Sequence, residues 1–421
     1  MKIHVVQSGD NVYAIAQAYG VSMSQILKDN QLEDPSQLVV GQTLVILYPE
    51  ITHTVQVGET LDQIGKNYHV NTKTLLQNNP QLNGWEGIHP GQQLVIQYKD
   101  QGDSPLYVTA YAYPSINKDL LAQTVPYLST LTPFTHRFTI EGKLATLNDG
   151  YLQWAGEKVG VGTVFHLASV NPDGAFSTAL SNAILSNPTL QENLIDEIMA
   201  QVKEKSYVGV DVDFELIDPN LAKAYVAFLS DLKKNLGDLP LTVAVAPKIS
   251  SQQKGIFYQG HLYREIGEVA DKVLLMTYEW GYPQGEPMAI SPITGVRQVL
   301  DYAITEIPPE KLLLGINTYG YNWKTPKVMG VNAVSVTCPE AVGLARDYHA
   351  EIFYDQEAQA PYFHYTDADN QTHTLWFEDA RSIQAKLNLV KEYALQGVGY
   401  WNLDRPFPQN WLVLHHTYGE V

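Results

Sequence analysis

Residues 207–218 read YVGVDVDFELID, an apolar, β-branched run interrupted at alternate positions by acids. A strand turns successive side chains to opposite faces, so Asp211, Asp213 and Glu215 share one face and Val210, Val212 and Phe214 the other. Such a strand at a surface would leave its acids in water and lead into a hairpin turn. Helix signals follow this one instead: Pro219 suits a first helical turn and Gly237 a C-terminal stop around PNLAKAYVAFLSDLKKNLG. A strand that leads into a helix in this way belongs to a parallel series, covered on both faces.

Seven further runs of strand character alternate with helical patterns after Pro105. They are LYVTAYAY from Leu106, LSTLTPFTHRF from Leu128, GTVFHLASV from Gly162, LTVAVAP from Leu241, DKVLLMTYEW from Asp271, KLLLGINTYGYNW from Lys311 and GVGYWNL from Gly397. Eight alternations predict an α/β fold, a (β/α)8 TIM barrel over 106–421, with the acidic strand fourth. The 59 residues from Lys324 to Ser382 are too long for a plain loop, and the patterns PEAVGLARDYH and PYFHYTDADNQTHTLWFED predict a small α+β insertion at about 324–382. In a barrel of this kind the three acids climb from the interior to the open C-terminal mouth, with Glu215 highest. Crowding buried carboxylates raises at least one pKa and couples their titrations, which keeps an acid protonated near neutral pH.

The first hundred residues repeat. HVVQSGDNVYAIAQAYGVSMSQILKDN from His4 returns 49 residues later as HTVQVGETLDQIGKNYHVNTKTLLQNN from His53, and the tails VGQTLVI and PGQQLVI also align. Each copy predicts a βααβ module, over 1–48 and 52–98, with the polar stretch KDQGDSP (99–105) as a linker. Two weak sites on one tether raise avidity, so the pair reads as an anchor.

The repeats resemble the LysM domain, from their V..GD and V..GE openings to their GQ.L.I closings. That resemblance implies binding of N-acetylglucosamine polymers such as peptidoglycan or chitin. It places the sugar against Gly9, Asp10, Asn11, Asn30 and Leu32 in the first copy, and against Gly58, Glu59, Thr60, Leu61, Asn79, Pro80 and Leu82 in the second. The same Gly and Asn residues also make turns and caps, and both uses stand open.

The run VGVDVDFE resembles the DGxDxDxE signature of glycoside hydrolase family 18, the chitinase-like barrels. LLMTYEW, LLLGINTYGYNW and the Trp of GVGYWNL match that family's later motifs in order. The resemblance implies Glu215 as general acid and base, Asp213 orienting the substrate acetamido group, Asp211 tuning Asp213, Tyr278 donating to the acetamido carbonyl, and Trp401 as the floor beneath the sugar. Glu279, Tyr319, Trp280 and Tyr111 are the further candidate substrate contacts. Two departures stand out: Val208 replaces the first signature Asp, and Glu279 is one methylene longer than the usual Asp.

With its paired modules and WFEDARSI, the chain resembles the spore cortex-lytic N-acetylglucosaminidases. The implied activity is retaining, substrate-assisted hydrolysis of spore cortex peptidoglycan during germination. A chitinase, or a non-catalytic sugar-binding coat protein, are the alternatives; the second is disfavoured because Glu215 is present.

Composition narrows the rest. With 27 Lys and Arg against 45 Asp and Glu, the net charge of −18 argues against nucleic acid and anionic lipid as partners. A single cysteine, Cys338, excludes an intramolecular disulfide. His136, His166, His415 and His416 lack metal-ligand spacing, so no metal and no cofactor is expected. Neither a secretory signal nor an apolar stretch approaching about 18 residues is visible, so a soluble protein without membrane insertion is expected, and the resemblance to cortex-lytic enzymes implies association with the spore coat or cortex.

Overall fold

The N-terminal repeats fold as two βααβ units. In the first, Lys2–Val5 pairs antiparallel with Thr43–Ile46 around helices Val12–Tyr19 and Met23–Asp29. In the second, Pro49–Thr54 pairs with Gln93–Tyr98 around Leu61–Tyr68 and Thr72–Asn78. Side-chain caps set the helix starts: Asn11 accepts from the Ala14 N–H, and Thr60 forms a capping box with Gln63. The turn before each first helix runs at φ of +90° at Gly9 and +87° at Gly58, where any Cβ would be strained. This computed structural model describes residues 1–32, 34–82, 87–102, 104–327 and 329–419.

All eight expected barrel strands form, and their neighbours pair in parallel. In chain order they are Tyr107–Ala112, Thr130–Pro133, the pair Gly162–Thr163 and Phe165–Ala168, Val210–Asp213, Leu241–Val245, Lys272–Leu275, Leu312–Asn317 and Gly397–Trp401. The sheet order begins with Gly162–Thr163 and ends with Phe165–Ala168, two halves of one run interrupted at Val164, so the barrel closes on itself. Closure leaves no free edge and buries both faces, which is why these strands read as nearly unbroken apolar runs.

KLLLGINTYGYNW does not make one strand. Leu312–Asn317 stays in the barrel, Thr318 donates its N–H to the Trp401 carbonyl, and Tyr319–Thr325 leaves for a five-stranded antiparallel sheet. The insertion thus opens at Tyr319, so a boundary drawn at 324 falls inside its first strand. Helix Cys338–Asp347 and the hairpin of Ala360–Thr366 with Thr372–Trp376 form as their patterns predict. Ser382 lies within helix Ala380–Glu392, which packs on the last helix, Pro408–Tyr418, as part of the barrel's outer layer.

The 99–105 stretch is not a free tether where it is described. The Lys99 N–H donates to the Tyr48 carbonyl (2.8 Å), the Gly102 N–H to the His416 carbonyl (3.0 Å), and Gln101 meets His415. Both modules dock on the barrel. Gln409 holds the first through Thr43 (2.6 and 2.8 Å), the Ile352 N–H reaches the Val40 carbonyl (2.9 Å), and the second is fixed by the Tyr127 hydroxyl donating to the Gln77 carbonyl (2.6 Å) and the Gln77 side-chain amide donating to the Pro126 carbonyl (2.8 Å). Val45, Leu47, Val95 and Tyr98 join one apolar core with Tyr127 and Trp411, so burial and hydrogen bonding act together at the junction.

Candidate active site

The two faces of the fourth barrel strand are built for different jobs. On the outer side Phe214 stacks against Tyr225 (5.5 Å) and Phe228 (5.9 Å) of helix Ala222–Leu236. This apolar contact fixes the register, because a slip of one residue would bring the acids to the helix face. On the inner side Asp211 and Asp213 are buried at 2% and 7% exposure, and Glu215 stands just beyond the strand end at the mouth.

Asp211 is held from the adjacent third strand and from the first strand across the barrel. Its Oδ2 accepts from the Tyr111 hydroxyl (2.8 Å) and from Nδ1 of His166 (2.8 Å), the residue opposite it in the parallel ladder. These bonds fix the Asp211 carboxyl in the barrel interior. His166 is fully buried, and sequence reasoning weighed it only as a metal ligand. Its signal was a lone polar residue in the apolar GTVFHLASV run.

Above this pair burial and like charge dominate. Burial, followed by the charges of Glu215 and Asp211, holds the Asp213 carboxyl well above the usual carboxylate range. Burial, followed by the Glu279 charge, pushes Glu215 up to about 7. Glu279 lies at φ +65° and accepts from the hydroxyls of Tyr319 and Tyr321 (2.9 Å for Tyr321); burial raises its pKa and these bonds oppose the rise. Burial, then the neighbouring acids, raises the Tyr278 phenol, which therefore stays a donor. Gly315 makes room for that phenol, since a Cβ there would sit 2.9 Å from its ring.

These groups share a cleft of about 680 Å³ at the barrel mouth. Trp401 lies on its floor, edge-on to Phe134 (4.8 Å) and Tyr111 (5.7 Å), which sets its indole plane. Of the residues expected from sequence, Tyr111, Asp213, Glu215, Tyr278, Glu279, Tyr319 and Trp401 line the cleft, with Asp211 beneath. Trp280 does not. Its indole packs over Gly295 in helix Ile293–Glu306, because the backbone turn at Glu279 sends the next side chain outward. Tyr113, Tyr321, Asp404 and Arg405 also line the cleft; lying in loops or in the insertion, they carried no motif signal.

In the repeats, Asp10 accepts from the Gln7 N–H (2.8 Å) and His4, and Glu59 repeats this with the Gln56 N–H (2.7 Å) and His53. Asn30 and Asn79 are buried, their amides bonded to Ile26, Val45 and Gln409 and to Leu75, Val95 and Gln81 respectively. Those amides have no hydrogen-bonding capacity left for a sugar. Leu82 belongs to the second module's core, on which Leu61 packs, Leu32 packs on the first, and Pro80 faces the barrel beside Tyr127.

A buried acid poised near neutrality, a second acid beside it, a phenol donor and an aromatic floor can protonate a leaving oxygen while orienting a neighbouring amide. That chemistry, on a closed (β/α)8 barrel, is that of a glycosidase. Residues 158–405 match the Glycosyl hydrolases family 18, and residues 4–47 and 53–97 match the LysM domain. The chain belongs to glycosyl hydrolase family 18 and is a glycoside hydrolase.

Among its relatives, the cortical fragment-lytic enzyme of Bacillus subtilis is 37% identical, over 100% of this chain and 99% of the relative. The crystal structure of the Bacillus cereus spore cortex-lytic enzyme SleL superposes with a TM-score of 0.84 at 36% identity, covering 99% of this chain and 98% of that one. A Chromobacterium violaceum chitinase, 24% identical over 74% of this chain and 99% of its own, shares the barrel fold at a TM-score of 0.69. No described helix is long and apolar enough to cross a membrane.

Proposed function

We propose that this protein is a retaining β-N-acetylglucosaminidase that hydrolyses spore cortex peptidoglycan or its fragments. The observation that carries the proposal is the pairing at the barrel mouth of Glu215, poised near pH 7, with Asp213, whose carboxyl is also held up. Protonated Glu215 gives its proton to the glycosidic oxygen as the C1–O bond breaks. The substrate's own 2-acetamido oxygen forms the new bond to C1, a substitute for the second carboxylate of most retaining enzymes. Asp213 takes the hydrogen bond from the acetamido N–H, Tyr278 donates to the acetamido oxygen, and Trp401 supports the apolar face of the ring. The Glu215 carboxylate then removes a proton from water as that water opens the oxazolinium ion, which returns the β-configuration and the protonated acid.

The cortex assignment rests on full-length similarity to cortical fragment-lytic enzymes. The LysM modules would hold the polymer, and the Gly9–Asn11 and Gly58–Leu61 turns are their proposed contacts. Proton NMR of the first product tests the mechanism. Initial appearance of the β-anomer, before mutarotation, is expected; initial α-anomer would mean direct attack by water and would defeat the substrate-assisted route.

A further inference from the structure

Among the described residues lining the cleft, Arg405 is the one cation; the same lining holds four acids, Asp213, Glu215, Glu279 and Asp404. It follows the last barrel strand, is partly exposed, and has no hydrogen bond or ion pair with any described residue. Its neighbour Asp404 accepts from the Tyr113 N–H at 3.0 Å; burial raises the pKa of the Asp404 carboxyl, and the Arg405 charge only partly opposes that rise. Arg405 shares the cleft lining with Tyr113, just past the end of the first strand, and Tyr321 of the insertion, and its charge reaches both phenols.

An unpaired guanidinium in an acidic cleft is unneeded for a neutral glycan such as chitin. A substrate carrying a carboxylate would find no other cation among the described residues of this lining, and the planar fork of Arg suits a carboxylate through two parallel hydrogen bonds. Building on the proposed action on peptidoglycan, we propose that Arg405 forms a carboxylate-binding subsite in the cleft that selects muramic acid-containing glycans over neutral N-acetylglucosamine oligomers. The carboxylate belongs either to the muramoyl lactyl group or to a stem peptide attached there.

Calorimetric binding in a Glu215→Gln background tests this independently of turnover. Three glycans of equal sugar length are compared: one with a free muramoyl carboxylate, one with that carboxylate amidated, and one bearing a stem peptide with free carboxylates. In the background variant one acidic glycan is expected to bind at least about tenfold more tightly than the amide, the scale of a charge-assisted bond. Adding Arg405→Ala should erase that preference and Arg405→Lys should restore part of it. Preference for the lactyl acid alone identifies the lactyl group as the source; preference for the stem-bearing glycan alone identifies the peptide. An acid-to-amide ratio unchanged by Arg405→Ala, or no binding of any of the three glycans, overturns the proposal. Absence of hydrolysis by the wild type would instead overturn the glucosaminidase reading and leave the carboxylate subsite standing on its binding data.

Discussion

At the scale of single residues, one strand creates opposite environments two positions apart. Asp211 is supplied with two donors, whereas Asp213 and Glu215 receive burial and like charge. Glu215 is competent as an acid only while protonated, so turnover should fall as pH rises through about 7. The Glu279 charge adds to burial in raising Glu215, so Glu279→Gln removes a repulsion that keeps the proton on Glu215. The alkaline limb of kcat/KM should then move to lower pH by roughly half a unit or more. A limb that stays in place or moves upward in a pH–rate profile would show that Glu279 does not tune the acid. The acids, Tyr278 and Trp401 were legible because strand alternation and ordered motifs mark them. His166 was not, because its role exists only once two strands distant in sequence are paired in register.

At the scale of elements, glycine positions show where backbones meet. Gly41 ends the first module's turn at φ +86°, and a Cβ there would collide with the Ile352 carbonyl, next to the N–H that binds Val40. Gly41→Ala should therefore cost about 1 kcal/mol or more, from strain plus loss of this docking contact. It should also raise amide exchange around Ile352 and residues 40–47 relative to the second module. Unchanged exchange there would mean that the turn does not hold the module in place. Composition marked 99–105 as polar but could not show that its N–H groups donate to the carbonyls of Tyr48 and His416. Likewise the Asn317–Tyr319 break reads as continuous strand, because only the Thr318 contact with Trp401 ends the barrel strand.

At the scale of the whole molecule, the modules and the barrel share an apolar core, so the polymer-binding and bond-breaking parts are held in one frame. Eight strands could be counted from sequence because barrel closure demands apolar runs of regular spacing. The docking could not, since a surface that packs on another unit of the same chain resembles an ordinary module core. Arg405 lay beyond reach for a related reason: only the assembled mouth shows it as the one cation among the described residues of a lining that holds four acids. The activity of the assembled chain on its polymer is tested most directly by mass spectrometry of borohydride-reduced products from cortex peptidoglycan fragments, with wild type and Glu215→Gln compared. New reducing N-acetylglucosamine ends with the wild type, and a loss of at least about a hundredfold in their rate with the variant, are expected. Reducing muramic acid ends, or equal cleavage by both proteins, would contradict a glucosaminidase that uses Glu215 as its acid.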